Sequence, residues 1–226
     1  MSYMWENFNI KPFPAETIVY RDGVFCPELS TIETEQVKKQ YYLPVHIIYV
    51  GEIAGKCRLD IDINVENQPV FLSVNIKNKK PAFFNIFIKN TGKNSEFRGH
   101  ILLDNYNSLT YDCTAHHISP NTGIFLQNKL IANNGSISKL SGTAIIDKDC
   151  ENCDSDITFA AISSRDAKIE FLPAQRISSV PKNAGHSASI YTPKTIQIEF
   201  LRSAGLSMTE INNVMREAFI NDFSLF

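Results

Sequence analysis

The sequence has no run of about 18 apolar residues, the length a membrane-crossing helix needs. Its first residues, MSYMWENFNIKPFPAE, carry no basic stretch followed by an apolar one, so neither a membrane span nor a secretory leader is expected. An excess of one charge is also missing, since 22 Lys and Arg stand against 24 Asp and Glu for a formal charge of -2. The basic residues are scattered and form no stripe, which removes the electrostatic footprint of a nucleic-acid binder. Cysteine is sparse, with five residues at irregular spacing. An odd, irregular set is not the disulfide framework of a small secreted domain, and a reducing cytoplasmic compartment is the expectation. No Gly-rich phosphate loop, G-x-S-x-G elbow or H-E-x-x-H motif occurs, so the chain carries no recognisable enzyme signature.

What is present is a large apolar fraction, 43% of 226 residues, enough for a buried core. Residues 1–44 form an N-terminal segment of mixed Pro, charge and aromatics, in which ELSTIETEQVKKQ (28–40) suggests a short helix. From residue 45 the pattern changes. CRLDIDINV (57–65) sets Cys57, Leu59, Ile61, Ile63 and Val65 against Arg58, Asp60, Asp62 and Asn64, the alternation of a strand with one buried face. Strand-like runs follow at 70–76, 82–88, 99–103, 123–132, 142–146, 156–162 and 167–172. NTGKNS, DNYNS, SPNTG and ANNGS separate them and supply the Gly and Asn of tight turns. The region 45–190 therefore reads as mainly β. Period alone leaves a sandwich, a barrel and a β-solenoid open.

Residues 191–226 turn helical. Thr192 suits an N-cap and Pro193 a first helical position; Ile196, Phe200 and Leu201 share a face, and Gly205 stops the helix. SMTE (207–210) is a capping box, followed by the apolar stripe Ile211, Val214, Met215, Ala218 and Phe219. A C-terminal helical hairpin is predicted.

Three groups of side chains carry candidate chemistry. His186, in KNAGHSASI (182–190), has only small neighbours, although a lone imidazole is usually satisfied by nearby backbone. CENC (150–153) is a C-x-x-C, and CTAHH (113–117) adds further ligand types. If successive coils stack these two segments, Cys113, His116, His117, Cys150 and Cys153 are candidate metal ligands. Against that stands strand alternation, which sends neighbours to opposite faces, and the habit of cysteine to act as a small buried apolar residue. Asp60 and Asp62, like Asp147 and Asp149, are placed on solvated strand faces with no paired-carboxylate role.

Residues 141–219 resemble the C-terminal part of the SufB/SufD family of iron–sulfur cluster assembly proteins. The match rests on Pro173, His186 with Ala188, FLRSAGLS (200–207) and the amphipathic helix after it. The resemblance implies a right-handed parallel β-helix core with the C-terminal helical hairpin, and a scaffold role with no reaction of its own. It also implies a SufC-like ABC-type ATPase docked through the C-terminal helices and a SufB/SufD-like partner or a homodimer. The cofactor it implies is an iron–sulfur cluster, with His186 as a cluster or interface residue. Ser187 stands where SufB-like members carry Glu, Ala184 where SufD-like members carry Cys, and Ala167 near the place of a SufB cysteine. The resemblance of CDS (153–155) to a cysteine-containing SufB stretch favours Cys153. The alternative class is a metal-binding or carbohydrate-active β-solenoid, which would need a cleft with paired carboxylates.

Overall fold

In a computed structural model, residues 16–21, 24–26, 28, 45–53, 57–66 and 69–221 are described. The short helix expected over 28–40 lies outside them except for Glu28. Thirteen strands are described: β1 Glu16–Arg21, β2 Val24–Phe25, β3 Val45–Ile53, β4 Cys57–Val65, β5 Val70–Asn78, β6 Ala82–Asn90, β7 Glu96–Asn105, β8 Ser108–His117, β9 Gly123–Ala132, β10 Ile137–Ile146, β11 Asp154–Ser163, β12 Lys168–Ile177 and β13 Asn183–Tyr191. Two helices follow, α1 Thr195–Ser203 and α2 Met208–Asn221.

From β3 onward odd-numbered strands pair only with odd ones and even with even, while β1 pairs with both β3 and β2. One sheet runs β13-β11-β9-β7-β5-β3-β1-β2 and the other β12-β10-β8-β6-β4. All pairings are parallel except β1 with β2. The chain thus winds into a two-sheeted parallel β-solenoid of about 4 turns, capped in sequence by two helices. β1, drawn from the N-terminal segment, joins the first sheet through β3.

β6, β8 and β10 alternate in burial because one face lines the interior and the other meets solvent. β8 shows this in its side chains: Leu109, Tyr111, Cys113, Ala115 and His117 are buried, while Thr110, Asp112, Thr114 and His116 are half-buried outside. In-register pairing stacks like positions from coil to coil, so Phe84 lies on Tyr111 with ring centroids 5.2 Å apart. The Tyr111 hydroxyl, fully buried, donates to Asn128 Oδ1 at 2.7 Å across the core.

The corners are held by asparagines. Asn78 Nδ2 donates to Asn105 Oδ1 at 2.8 Å, a step of 27 residues, and Asn105 Nδ2 donates to Ser138 Oγ at 2.7 Å. At the opposite corner Asn90 Nδ2 donates to the carbonyls of Ser95 and Gly123. These bonds satisfy buried polar groups in the layers where the backbone turns. Gly92 sits in one such turn, and a Cβ there would fall 1.2 Å from the carbonyl oxygen of Glu66.

The structure places the helix start two residues later than the sequence suggested. β13 continues to Tyr191, so Thr192 and Pro193 serve as the connection, and Lys194 becomes the N-cap of α1 with its N–H donating to Gln197 Oε1 at 2.9 Å. α1 ends as expected. Gly205 has φ +91°, its N–H donates to Arg202 O, and the Leu206 N–H donates to Leu201 O, a Schellman closure. The capping box at α2 is present too, with the Ser207 N–H on Glu210 Oε2 at 2.8 Å and the Glu210 N–H on Ser207 Oγ at 3.3 Å.

α2 lies on the outer face of the odd-numbered sheet, where Met215, Phe219 and Ile220 pack against Leu102, Ile131 and Ile162. Lys129 Nζ donates to the carbonyl of Phe219 at 2.6 Å, placing a buried cation at the helix C-terminus, where the dipole favours it.

Candidate functional site

The solenoid has an open end at β12 and β13. β13 pairs with β11 on one side and with no described strand on the other, and β12 likewise pairs only with β10. His186 is in register with Ile157, which is 2% exposed on the interior face. The imidazole therefore stands in the interior column Leu72, Gly99, Leu126, Ile157, at the position a further coil would cover. With no such coil it is exposed.

Its small neighbours have separate reasons. Ala184 and Ala188 share the interior face with it, so nothing bulky flanks the ring along the strand. Gly185 faces outward beside Asp156, and a Cβ there would meet Asp156 Oδ1 at 3.0 Å. Burial pushes the Asp156 carboxyl above its ordinary value, the neighbouring Asp154 adds to this, and His186 opposes it. The start of β13 is pinned to Asp154 by Lys182 Nζ at 3.1 Å and Asn183 Nδ2 at 3.3 Å. Gln175 Nε2 donates to Ala184 O at 2.8 Å, tying the two sheets together at the open end. Leu172, Ile177 and Ile190 remain 40% or more exposed there.

β12 and β13 contain no cysteine. These two end strands thus present a single soft-metal donor, His186. An iron–sulfur cluster, as cargo, needs thiolate or imidazole from elsewhere to be held here.

The other candidates are split among three places. Cys113 is in the core, 2% exposed, and burial pushes its thiol up to about 12. His116 faces outward, with Nε2 3.0 Å from Asp147 Oδ2. Asp147 and Asp149 are in the turn after β10, not on a strand, and Asp149 has φ +68°. His117 is buried at a corner, its Nδ1 2.7 Å from Thr122 Oγ1, which lies 3.3 Å from Cys153 Sγ. Burial, aided by His116, lowers the His117 pKa to about 4, so the ring is neutral at ordinary pH. Cys150 and Cys153 share a buried cluster with Ile146. Among the described residues no group of three or more His, Cys, Asp or Glu converges to hold a metal ion.

The helical hairpin offers a second surface. α1 buries none of its residues, and Ile196 and Phe200 are 71% and 70% exposed. Met208 and Val214 of α2 are exposed as well. The expected stripe on α2 is therefore divided, with Met215 and Phe219 turned to the solenoid and Val214 away from it. Between hairpin and solenoid lies a cleft of about 730 Å³ lined by Tyr106, Asn133, Arg165, Asn212 and Arg216 among others. Arg216 is committed to Asp104, and Arg165 Nη2 donates to Thr195 Oγ1 at 3.3 Å. The lining includes no histidine or cysteine; its surface is more apolar than polar, and its polar groups are mainly carboxamides and hydroxyls.

Fold and site together define a parallel β-solenoid with an open, histidine-bearing end and a helical hairpin that leaves apolar side chains uncovered. The family model described as SUF system FeS cluster assembly, SufBD core domain, matches residues 71–219. The chain belongs to this SufB/SufD family, a scaffold-type component of SUF iron–sulfur cluster assembly. No curated protein matches it significantly. No described helix is long and apolar enough to cross a membrane.

Proposed function

We propose that the chain is a SufB/SufD-like scaffold that works in complex with an ABC-type ATPase and pairs, with itself or with a relative, through the β12–β13 end. The observation that carries this reading is the open end, where His186 stands in the interior column with no coil over it. An unpaired parallel edge with exposed apolar neighbours is a template for another chain. Pairing there would bring donors from a second chain to His186, which supplies what the two end strands lack for a cluster as cargo. In this reading residues 45–190 are the assembly core, 191–226 the region the ATPase grips, and 1–44 an N-terminal segment. The exposed Ile196, Phe200, Met208 and Val214 support the ATPase contact. A cytoplasmic location fits thiols that remain free.

The test is co-expression with an ABC-type ATPase of a SUF system, affinity capture of the chain, and anaerobic reconstitution of the captured complex with iron and sulfide. Stoichiometric ATPase and visible absorption from a cluster support the proposal. A monomer that captures no ATPase and gains no absorption overturns it.

A further inference from the structure

The turn that precedes β11 gathers two thiols in one buried cluster, with Cys153 Sγ also 3.4 Å from Ser119 O. Cys150 and Cys153 flank Glu151 and Asn152, the two central residues of a turn, and Asn152 has φ +58°. Cα atoms at the two ends of such a turn lie within about 7 Å, and disulfides bridge Cα atoms about 4.4–6.8 Å apart. Both thiols are free and face the same small cluster with Ile146, against Ala184. Glu151 and Asn152 between them are exposed. Neither Cys113, deep in the core, nor His116, on the outer face, is gathered with them, so the unit is a pair of thiols.

The last coil hangs from this turn. The Asn152 N–H donates to Val180 O at 3.1 Å, and the Lys182 and Asn183 N–H groups donate to Cys153 O at 2.8 and 3.2 Å. β13 begins at Asn183, and His186 is on it.

We propose that Cys150 and Cys153 form a reversible dithiol–disulfide pair, with a low-molecular-weight disulfide as oxidant, whose oxidised form stiffens the turn carrying β13. Both thiols are buried in the closed turn, so local opening exposes Cys150, whose thiolate attacks one sulfur of the oxidant and expels one small thiol. The Cys153 thiolate then attacks the Cys150 sulfur of the mixed disulfide and expels the second. Two protein thiols lose two electrons and two protons, and one small disulfide becomes two small thiols. Burial raises the Cys150 pKa, with Cys153 adding to the effect, so exchange accelerates towards alkaline pH.

The test uses the chain alone and does not depend on the scaffold reading. Reduced protein is equilibrated with graded ratios of oxidised to reduced glutathione, quenched in acid, alkylated and digested with trypsin. The peptide between Lys148 and Arg165 holds both cysteines. The expected result is a peptide that loses both alkylation sites, is about 2 Da lighter than the dithiol form and is restored by dithiothreitol. Cys150→Ser and Cys153→Ser should each abolish that product. Amide exchange of residues 180–186 should slow in the oxidised protein. Full alkylation, or two glutathiones on this peptide, at ratios that cyclise the same peptide free in solution overturns the pair. Unchanged exchange after oxidation overturns the stiffening.

Discussion

Asp104, at the end of β7, and Arg216, in the middle of α2, meet in a two-point carboxylate–guanidinium pair across 112 residues of sequence. Asn133 Nδ2 donates to the same carboxylate at 2.9 Å. Asp104 is 3% exposed, so its charge depends on these donors. The pair fixes α2 at its centre and Lys129 fixes its end, while α1 is joined to the solenoid through Arg165 on Thr195 and Tyr191 on Gln197.

Removing one partner of that pair should therefore loosen the hairpin without unwinding the solenoid. Arg216→Ala leaves a buried carboxylate facing only Asn133, and a loss of about 2–3 kcal/mol is expected, less than a fully buried pair because the arginine is partly exposed. Amide exchange should rise across 195–221 and stay unchanged in β5 to β9. Uniform destabilisation of both regions would count against it.

Gly92→Ala should be among the most damaging single changes in the chain. Its Cβ would overlap the Glu66 carbonyl, and backbone on both sides must move to admit it. Thermal unfolding of the variant should lose several degrees or fail to show a cooperative transition.

His117 gives the stability a pH dependence with a definite sign. Its folded pKa, about 4, is below the ordinary 6.5, so between those values the unfolded chain binds a proton the folded chain refuses. Stability from this group is complete above about 6.5, falls as pH drops through the window and is constant below about 4, with a ceiling of about 3 kcal/mol. Asp112 and Asp156, raised by burial, act in the opposite direction. The informative measurement is the difference between wild type and His117→Asn, since Asn90 fills the equivalent place one coil earlier. That difference should shrink steadily from pH 7 to 4; a difference independent of pH would contradict the assignment.

At the surfaces, Phe200→Asp with Val214→Asp should abolish ATPase capture and leave the far-ultraviolet circular dichroism intact. Met215 is the wrong residue for this test because it packs under the helix. His186→Ala should preserve self-association, which the strand edge supports, yet lower the iron retained. Equal capture, or equal iron, would remove the role assigned to that surface.

Most of the solenoid was legible from its apolar runs, alternating in CRLDIDINV and clustered at both ends of GIFLQNKLIA, whose strands appear with the same limits. β8 was not read as a strand. Its interior positions include Cys113 and His117, which look like ligands in sequence and in the structure are buried side chains of one face. β13 was not read as one either, because small polar residues on a strand with one neighbour have no apolar alternation to show. Parallel pairing could not come from the period, which is the same in both sheet types; it depends on contacts between coils. The shift from Thr192 to Lys194 has the same origin, since the strand pairing that consumes Tyr191 is invisible locally.

The strand order also sets a timetable for synthesis. Every strand from β5 to β13 docks on one made earlier, β5 on β3, β7 on β5 and so on to β13 on β11. A chain leaving the ribosome therefore meets a finished template at each step, and nearest-neighbour growth of this kind needs no later segment to proceed. The sticky edge moves forward with the growing coil and comes to rest at β13 only when the solenoid is finished. The helices emerge afterwards. Among the described strands the final edge therefore forms last, on a solenoid whose other strands have already been made.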